Sequence, residues 1–173
     1  MIALVGTPTL ATDRLVLRAP EGADWPHWRA FAASPRAAHI LDGDHSARTA
    51  WRAFGHAIGH WAMRGYGSFV FHLRGDPTPL GMAGPWFPEG WPETEIGWTV
   101  WTPEAEGRGY AHEAARATMA FARDALGWPA AVSYIDPGNA RSIALAERLG
   151  ARRDAAAAAP GEGTLVYRHW GPA

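Results

Sequence analysis

The chain has 173 residues, of which 47% are hydrophobic and 19% are charged, a balance typical of one soluble globular domain with a sizeable core. The formal net charge of −1 gives no basic field for nucleic acid or for an anionic membrane, so neither is predicted as a partner. The chain contains no cysteine and no lysine, which excludes disulfides, thiolate nucleophiles, Schiff bases and a Walker-type phosphate loop.

The cellular location is predicted from features that the sequence lacks. No apolar run approaches the roughly 20 residues of a membrane span. Residues 1–5 are apolar, but they are too short for a secretory signal and have no basic flank. Together with the absence of cysteine, these features predict a cytoplasmic protein.

The pattern of apolar and turn-forming residues predicts a mixed α/β fold. An alternating strand at 14–18 is followed by a helix at 21–33, with Asp24 as its expected N-cap, and by a helix at 46–63 that ends before Gly65. Further strands are predicted at 68–73, 80–86, 94–101, 131–135, 151–155 and 164–169, and further helices at 109–126 and 139–149. This order indicates a mixed sheet with helices on its faces.

The strongest local signal is the loop Gly107-Arg108-Gly109, which joins a predicted strand to a long helix. The first N–H groups of a helix have no partner within it, and glycine lets a ligand approach them, so such a loop is typical of a phosphate cradle. Arg108 is placed to pair with a phosphate. A glycine turn that merely leads into a helix is the simpler alternative. A Rossmann fingerprint is excluded, because its third glycine would fall on His112.

Other motifs accompany this loop in chain order. Glu95-Ile96-Gly97-Trp98 precedes it, and Asn139-x-x-Ser142 and Leu149-Gly150-Ala151 follow it. Together they resemble the GNAT N-acetyltransferase superfamily, in particular its RimJ/RimL-type branch, which includes ribosomal-protein N-terminal acetyltransferases. Residues 12–18 are similar to the opening strand of that branch, so the resemblance spans nearly the whole chain. The sequence departs from the family at Glu104, where Gln or Arg is frequent.

The resemblance implies a single acetyltransferase domain over residues 1–173. Its expected fold is α/β (α+β), with a mixed, mostly antiparallel sheet of about seven strands, helices on both faces and a splayed central strand pair. It also implies acetyl-CoA as co-substrate, no metal, and direct transfer of the acyl group to an amine. The implied cofactor-binding residues are Trp98, Thr99, Val100, Gly107, Arg108, Gly109, Tyr110, Ala111, Asn139 and Ser142.

Three residues are candidates for the chemistry. Glu95 lies on the strand near which the acceptor is expected, and Trp91 and Trp98 beside it would raise its pKa, as suits a general base acting directly or through water. Asn139 is expected to cap its helix, and in the family it and Ser142 face the pantetheine arm. Ser142 also occupies the region where many members have a tyrosine that acts as the acid to the leaving thiolate. The simpler alternatives are a partly exposed strand residue for Glu95 and helix capping for the other two.

Two further features have competing interpretations. In the family a bulge separates the cofactor strand from its neighbour, and Gly97 suits such a bulge, or it makes room for a bulky neighbour. His56 and His60 share a helix face, but no zincin glutamate and no third ligand accompany them, so no metal is predicted. His60 instead borders the acceptor site, if the helices flank that site as in the family.

The sequence therefore predicts an acetyl-CoA-dependent N-acetyltransferase whose acceptor is a protein N-terminus or a small-molecule amine, with a homodimer left open. One alternative is a non-catalytic acyl-CoA-binding module of the same fold. Another is a dinucleotide-binding oxidoreductase, which NAD would stabilise and CoA would not.

Overall fold

The computed structural model describes residues 4–41 and 43–172 and contains one eight-stranded sheet in the order β1-β2-β3-β4-β5-β6-β8-β7. The strands are β1 (Leu10–Ala11), β2 (Leu15–Arg18), β3 (Phe69–Leu73), β4 (Gly81–Trp86), β5 (Glu95–Val100), β6 (Ala131–Ile135), β7 (Arg152–Arg153) and β8 (Leu165–Trp170). The α-helices are α1 (Trp25–Ala32), α2 (Ala47–Arg64), α3 (Tyr110–Asp124) and α4 (Ala140–Arg148). Neighbouring strands run antiparallel except for the parallel pair β5 and β6.

The predicted mixed sheet with helices on both faces is confirmed. Its eighth strand, β1, was not predicted, because two residues are too few to show alternation. Short 3₁₀ helices at Gly22–Asp24, Pro35–Ala37 and Pro103–Ala105 were also not predicted. Residues 1–3, which begin the segment considered as a signal, lie outside the described residues. Within residues 4–41 and 43–172, no helix combines the length and the apolarity that crossing a bilayer requires.

The alternation of side chains along the strands divides the core into two layers. Val70 and Met82 pack against α1 and α2, whereas Phe69, Phe71 and Ala83 pack against α3. Helix α4 lies over the end of β6 on the same side as α3, with Ala146 against Ile135. We call the two sides of the sheet the α1/α2 face and the α3/α4 face.

Local signals fix the ends of α2 but not the start of α1. The Ser46 hydroxyl accepts a hydrogen bond from the Thr49 N–H at 3.2 Å, and Gly65 ends α2 in the left-handed conformation. Asp24 occupies the predicted N-cap position of α1, but its side chain makes no cap bond. Instead, both of its carboxylate oxygens accept hydrogen bonds from Arg18, at 2.7 and 2.8 Å, which ties β2 to α1.

His60 connects α2 to the segment before β3 and to the segment after β4. Its Nδ1–H donates to the Tyr66 carbonyl at 2.8 Å, and its Nε2 accepts from the Phe87 N–H at 3.0 Å. The imidazole is 3% exposed and stacks on Trp86 at 4.4 Å between ring centroids. Because both ring nitrogens are engaged in this way, the bonded form is the neutral tautomer with its proton on Nδ1.

Burial lowers the pKa of His60 from its ordinary value, so the stability of the fold is expected to depend on this residue's charge. Below about pH 6.5 the unfolded chain binds a proton at this residue more readily than the folded chain does. The free energy of unfolding therefore decreases as the pH is lowered. A glutamine can supply one donor and one acceptor without titrating. We predict that His60→Gln loses less stability than the wild type between about pH 7 and about pH 5, measured by urea unfolding.

The matched control is His27→Gln at a partly exposed position of α1, which should keep the wild-type pH dependence. Identical pH dependence in His60→Gln and in the wild type would contradict the assignment of a neutral, buried His60.

Candidate active site

The centre of the sheet opens where β5 and β6 separate. Within the described residues these strands pair only at Glu95 and Val132, where the Val132 N–H donates to the Thr94 carbonyl at 3.0 Å. Both strands continue beyond that point without pairing to each other. The predicted splayed pair is therefore confirmed, and it creates a gap between β5 and β6 that widens toward their C-terminal ends.

Alternation in the ladder between β4 and β5 decides which backbone groups face this gap. The Trp101 N–H donates to the Leu80 carbonyl at 2.8 Å, and Ile96 lies opposite Pro85, which has no N–H. In an antiparallel pair, bonded and non-bonded positions alternate, so Trp98 and Val100 direct their N–H and C=O groups away from β4. These groups therefore face β6 across the gap.

The same alternation separates Thr99 from its predicted neighbours in the site. Thr99 lies opposite Met82 at a bonded position of the ladder, so its N–H and C=O point toward β4. Its hydroxyl accepts from the Trp101 indole at 2.9 Å on the α1/α2 face. Of the three strand residues predicted to contact the cofactor, only Trp98 and Val100 present backbone groups to the gap.

Of the two interpretations of Gly97, the bulge is excluded by the register of the ladder. The register between β4 and β5 runs without interruption from Gly81 opposite Val100 to Trp86 opposite Glu95, with Gly97 opposite Gly84. A register shift occurs instead between Ala131 and Val132, on the side of β6 that pairs with β8. The irregularity next to the gap therefore lies in the ladder between β6 and β8, and the ladder between β4 and β5 is regular.

Ser133 and His169 close the base of the gap. The Ser133 hydroxyl, 2% exposed, donates to the Ile96 carbonyl at 2.6 Å. Because that hydroxyl has one proton, the 2.8 Å contact to His169 requires His169 Nε2–H to be the donor. Burial lowers the pKa of His169 to about 4, which agrees with this neutral form. The chain of bonds joins β5, β6 and β8 just above the point where β5 and β6 meet.

The glycine loop follows β5 and leads directly into α3. Gly107 and Gly109 have φ values of +68° and +79°, a left-handed conformation that glycine adopts without steric penalty. Gly109 is the N-cap of α3, so the N–H groups of Tyr110 and Ala111 begin the helix without an intrahelical partner. The loop thus places unpaired N–H groups near the wide end of the gap, with Arg108 exposed on the loop itself.

The carboxylates near this loop are either exposed or paired with other side chains. Glu104, which departs from the family pattern, is exposed. Glu113, in the first turn of α3, accepts from the Thr12 hydroxyl at 2.5 Å and from Arg14 Nε at 2.6 Å. Glu106 pairs with Arg36 at 2.7 Å and with Arg141. Its charge is therefore compensated beside the loop.

Arg36 links the connection between α1 and α2 to the end of β5. Besides Glu106, its guanidinium donates to the Val100 carbonyl at 3.0 Å, across 64 positions of sequence. Nearby, His39 Nδ1 lies 3.2 Å from Asp136, just after β6. The connection thus contacts the ends of both separated strands. No sequence signal identified Arg36, because the contact depends on tertiary structure and on a backbone carbonyl.

The start of α4 brings two candidate residues together with Trp98. Asn139 Oδ1 accepts from the Ser142 N–H at 3.1 Å, which is the predicted N-cap bond. The Ser142 hydroxyl accepts from the Trp98 indole at 3.2 Å. The indole therefore extends from β5 toward α4 on the α3/α4 face, and the hydroxyl keeps its own proton for another acceptor.

Glu95 lies on the opposite face of the sheet from the Trp98 side chain, because successive strand residues alternate. Its pKa is raised to about 7, chiefly by burial, against hydrogen bonds from the Trp91 indole at 2.7 Å and from the Tyr134 N–H. Trp91, four residues earlier, lies beside Glu95 as expected, but the hydrogen bond from its indole lowers the pKa of the carboxyl, and Trp98 points to the opposite face of the sheet. Near neutral pH, Glu95 is balanced between its acid and base forms.

Other charged groups beside Glu95 are already paired. Arg168 donates to both carboxylate oxygens of Glu93, at 2.7 and 2.9 Å, and to Asp154 at 2.7 Å. The Glu93 N–H donates to the Tyr134 hydroxyl at 3.1 Å, and burial raises the pKa of that hydroxyl to about 12. Glu95 is thus surrounded by aromatic rings and by a compensated ion cluster.

The two histidines considered as metal ligands have other contacts. Both nitrogens of His60 are bound within the protein, and His56 packs edge-on against Trp86 at 4.8 Å. His60 is buried against Trp86, so its imidazole is not accessible to a ligand. Across the described ranges, no cluster of three or more His, Cys, Asp or Glu side chains is arranged to hold a metal ion.

Comparison with known proteins agrees with this geometry. The sequence model of the acetyltransferase (GNAT) domain matches residues 14–152. The structure is similar to that of an acetyltransferase from Agrobacterium tumefaciens strain C58, with 36% identity, 98% of each chain covered and a TM-score of 0.89. A GNAT-family acetyltransferase from Bacillus anthracis shares 22% identity, with 93% of this chain and 97% of that chain covered and a TM-score of 0.75.

A ribosomal-protein-S5-alanine acetyltransferase from Vibrio fischeri shares the fold at 13% identity, with 93% of this chain and 95% of that chain covered and a TM-score of 0.67. The matched domain accounts for most of the chain, and the Agrobacterium structure is similar along nearly its whole length. This protein therefore belongs to the GNAT acetyltransferase family.

Proposed function

We propose that this protein is an acetyl-CoA-dependent N-acetyltransferase, with residues 1–173 forming one domain that moves an acetyl group directly onto a primary amine. The observation that carries the proposal is the set of backbone groups of Trp98 and Val100 that face the gap between β5 and β6. They lie between the glycine loop at the wide end of the gap and Glu95 at its base. This order is the one in which CoA would present its phosphates, its pantetheine arm and its thioester, with the acceptor beyond the thioester.

The groups in and around the gap have the donors and acceptors that CoA requires. Pyrophosphate suits the N–H groups of residues 107–111, because a helix N-terminus favours negative charge, and Arg108 adds a full positive charge. The amides of the pantetheine arm suit the N–H and C=O groups of Trp98, which resemble an unpaired strand edge. Asn139 and Ser142 line the other side of the arm, at the start of α4.

Glu95 is proposed as the general base. The amine nitrogen attacks the thioester carbonyl carbon, a C–N bond forms, and the C–S bond breaks as the tetrahedral centre collapses. The amine gives up its proton to Glu95, directly or through water, while the Trp98 or Val100 N–H stabilises the oxyanion. The departing thiolate takes a proton from Ser142 or from solvent, and Ser142 retains a hydroxyl proton for this role.

The acceptor is proposed to be a protein N-terminus or a small-molecule amine. The Vibrio fischeri neighbour is described as acting on a ribosomal protein, and the sequence resembles the RimJ/RimL-type branch. A protein N-terminus is the acceptor class that both observations favour. A cytoplasmic location is consistent with such an acceptor, and a homodimer is compatible with the fold.

The proposal is tested by a screen of acetyl-CoA with N-terminal peptides and small amines. Because the chain contains no cysteine, a thiol reagent added to the reaction reports only the CoA that is released. Thiol release that depends on both an amine and the protein, with an acetylated amine found by mass spectrometry, is the expected result. Micromolar CoA binding without turnover on any amine would favour the alternative, a non-catalytic acyl-CoA-binding module.

Gly109→Ala is predicted to weaken CoA binding by about tenfold or more. An alanine held at φ +79° is strained by roughly 1–2 kcal/mol, and relief of that strain would reorient the N–H groups that begin α3. Isothermal titration of CoA measures the dissociation constant.

Gly75→Ala is the matched control, because Gly75 has φ +82° in an exposed turn and open space around it. This control should show a similar loss of thermal stability with unchanged CoA affinity. Equal CoA affinity in Gly109→Ala and in the wild type would argue against a phosphate cradle at this loop.

Glu95→Gln is predicted to lower kcat/KM for the amine by roughly 10²-fold or more at about pH 8. In the wild type, kcat/KM should rise with pH through an apparent pKa of about 7 and then follow the amine's own titration. In Glu95→Gln the rise of kcat/KM near pH 7 should be absent, whereas the rise that follows the titration of the amine should remain. Initial rates of thiol release across a pH series supply both profiles.

Glu162→Gln, in the exposed loop before β8, controls for the loss of one carboxylate. It should leave the pH dependence of kcat/KM unchanged. Because burial raises the pKa of Glu95, its charged form disfavours folding as the pH rises from about 4.5 through about 7. The Glu95→Gln protein should therefore be at least as stable as the wild type at about pH 8. If kcat/KM of Glu95→Gln still rises with an apparent pKa near 7, the base is another group.

A further inference from the structure

Two glycines lie opposite each other in the middle of the central strands, Gly84 on β4 and Gly97 on β5. Glycine in a strand interior weakens the strand, so each position needs a reason. For Gly84 the reason lies within the fold. Its φ is +152°, and a Cβ there would approach the Gly67 carbonyl oxygen and Ser68 Cα to 3.0 Å.

Gly97 has no such reason within the protein. Its φ lies outside the positive range that disfavours other residues, and a Cβ there would meet only Glu95 Oε1, at 3.7 Å. That separation is ordinary van der Waals contact. The fold thus accommodates an alanine at position 97, and neither a bulge nor a bulky neighbour accounts for the glycine.

Gly97 lies between two residues proposed to take part in the chemistry, so its lack of a side chain leaves space beside them. Residues 95 and 97 point to the same α1/α2 face, since the side-chain period of a strand is two. The next residue, Trp98, presents its N–H and C=O groups to the gap. Gly97 is also partly exposed. The space above its Cα therefore lies between the Glu95 carboxyl and the edge of the gap.

We infer that this space is an acceptor subsite, in which the reacting amine nitrogen and its first carbon lie over Gly97 Cα, within reach of the Glu95 carboxyl. The inference rests on the proposed acetyltransferase function and names where the acceptor binds. An amine at this point can give its proton to Glu95 while it faces a carbonyl carbon held in the gap. A side chain at position 97 would occupy the same volume.

The surroundings indicate which amines fit the subsite. The Trp91 and Tyr134 rings lie beside Glu95, with 6.4 Å between their centroids. The nearby carboxylates Glu93 and Asp154 are both paired with Arg168. The subsite thus offers one carboxyl and an aromatic wall, which favours a monoamine with an apolar group next to the nitrogen over a polyamine.

The test compares Gly97→Ala and Gly97→Val with Gly84→Ala and Gly55→Ala. Gly55 lies on α2 with open space around it, so Gly55→Ala adds a methyl group away from the site. Thermal unfolding, CoA titration and amine kinetics are measured for each protein, with phenethylamine, an N-terminal phenylalanine peptide and spermidine as acceptors.

For Gly97→Ala we expect an unfolding midpoint equal to or above that of the wild type and a CoA dissociation constant within about twofold of it. KM for the amine should rise by about tenfold or more, and further in Gly97→Val. Gly84→Ala should lose stability, and Gly55→Ala should keep wild-type kinetics. The phenylalanine peptide and phenethylamine should be better acceptors than spermidine.

Wild-type amine kinetics in Gly97→Ala, or a loss of stability as large as that of Gly84→Ala, would overturn the subsite. A preference for spermidine would overturn the monoamine assignment. A wild-type protein that binds CoA but acetylates no amine would instead overturn the proposed function, and the inference that rests on it. These outcomes are distinguishable, because only in the last one does the wild type acetylate none of the amines.

Discussion

The separation of β5 from β6 above Glu95 and Val132 is the constraint on which the rest of the structure depends. A half-buried backbone group without a partner costs about 1–3 kcal/mol, so a sheet normally closes such a gap. Here the bonds among Ser133, His169 and Ile96 fix the base of the gap, and Arg36 engages the last carbonyl of β5. The opening is thus held by specific contacts at both ends, and its remaining donors and acceptors are left for a ligand.

One strand serves several purposes because its geometry has two independent alternations. Along β5, side chains alternate between the two faces of the sheet, while backbone groups alternate between the two neighbouring strands. Glu95 and Gly97 therefore face α1 and α2, the Trp98 indole faces α4, and the Trp98 backbone faces the gap. The Glu95 carboxyl and the Trp98 indole are therefore separated by the thickness of the sheet, although the two residues belong to the same short strand.

Elements defined by local patterns were predictable from the sequence, whereas contacts between distant segments were not. Ser46 and Gly65 bound α2 as expected, since a cap and a left-handed glycine act within one turn. The glycine loop and its helix were predicted for the same reason. The face to which Trp98 points depends on register, and the bonds of Arg36 depend on tertiary folding, so neither has a signature in the sequence.

The connection between α1 and α2 joins the C-terminal ends of the two separated strands to the glycine loop. The Arg36 guanidinium contacts the Val100 carbonyl and also Glu106, next to the glycine loop, while His39 on the same connection contacts Asp136 after β6. A shift of this connection therefore reaches the end of β5, the end of β6 and the glycine loop at the same time. Because coupling between sites is reciprocal, a ligand whose affinity depends on the position of this connection also changes the free energy of that position by the same amount.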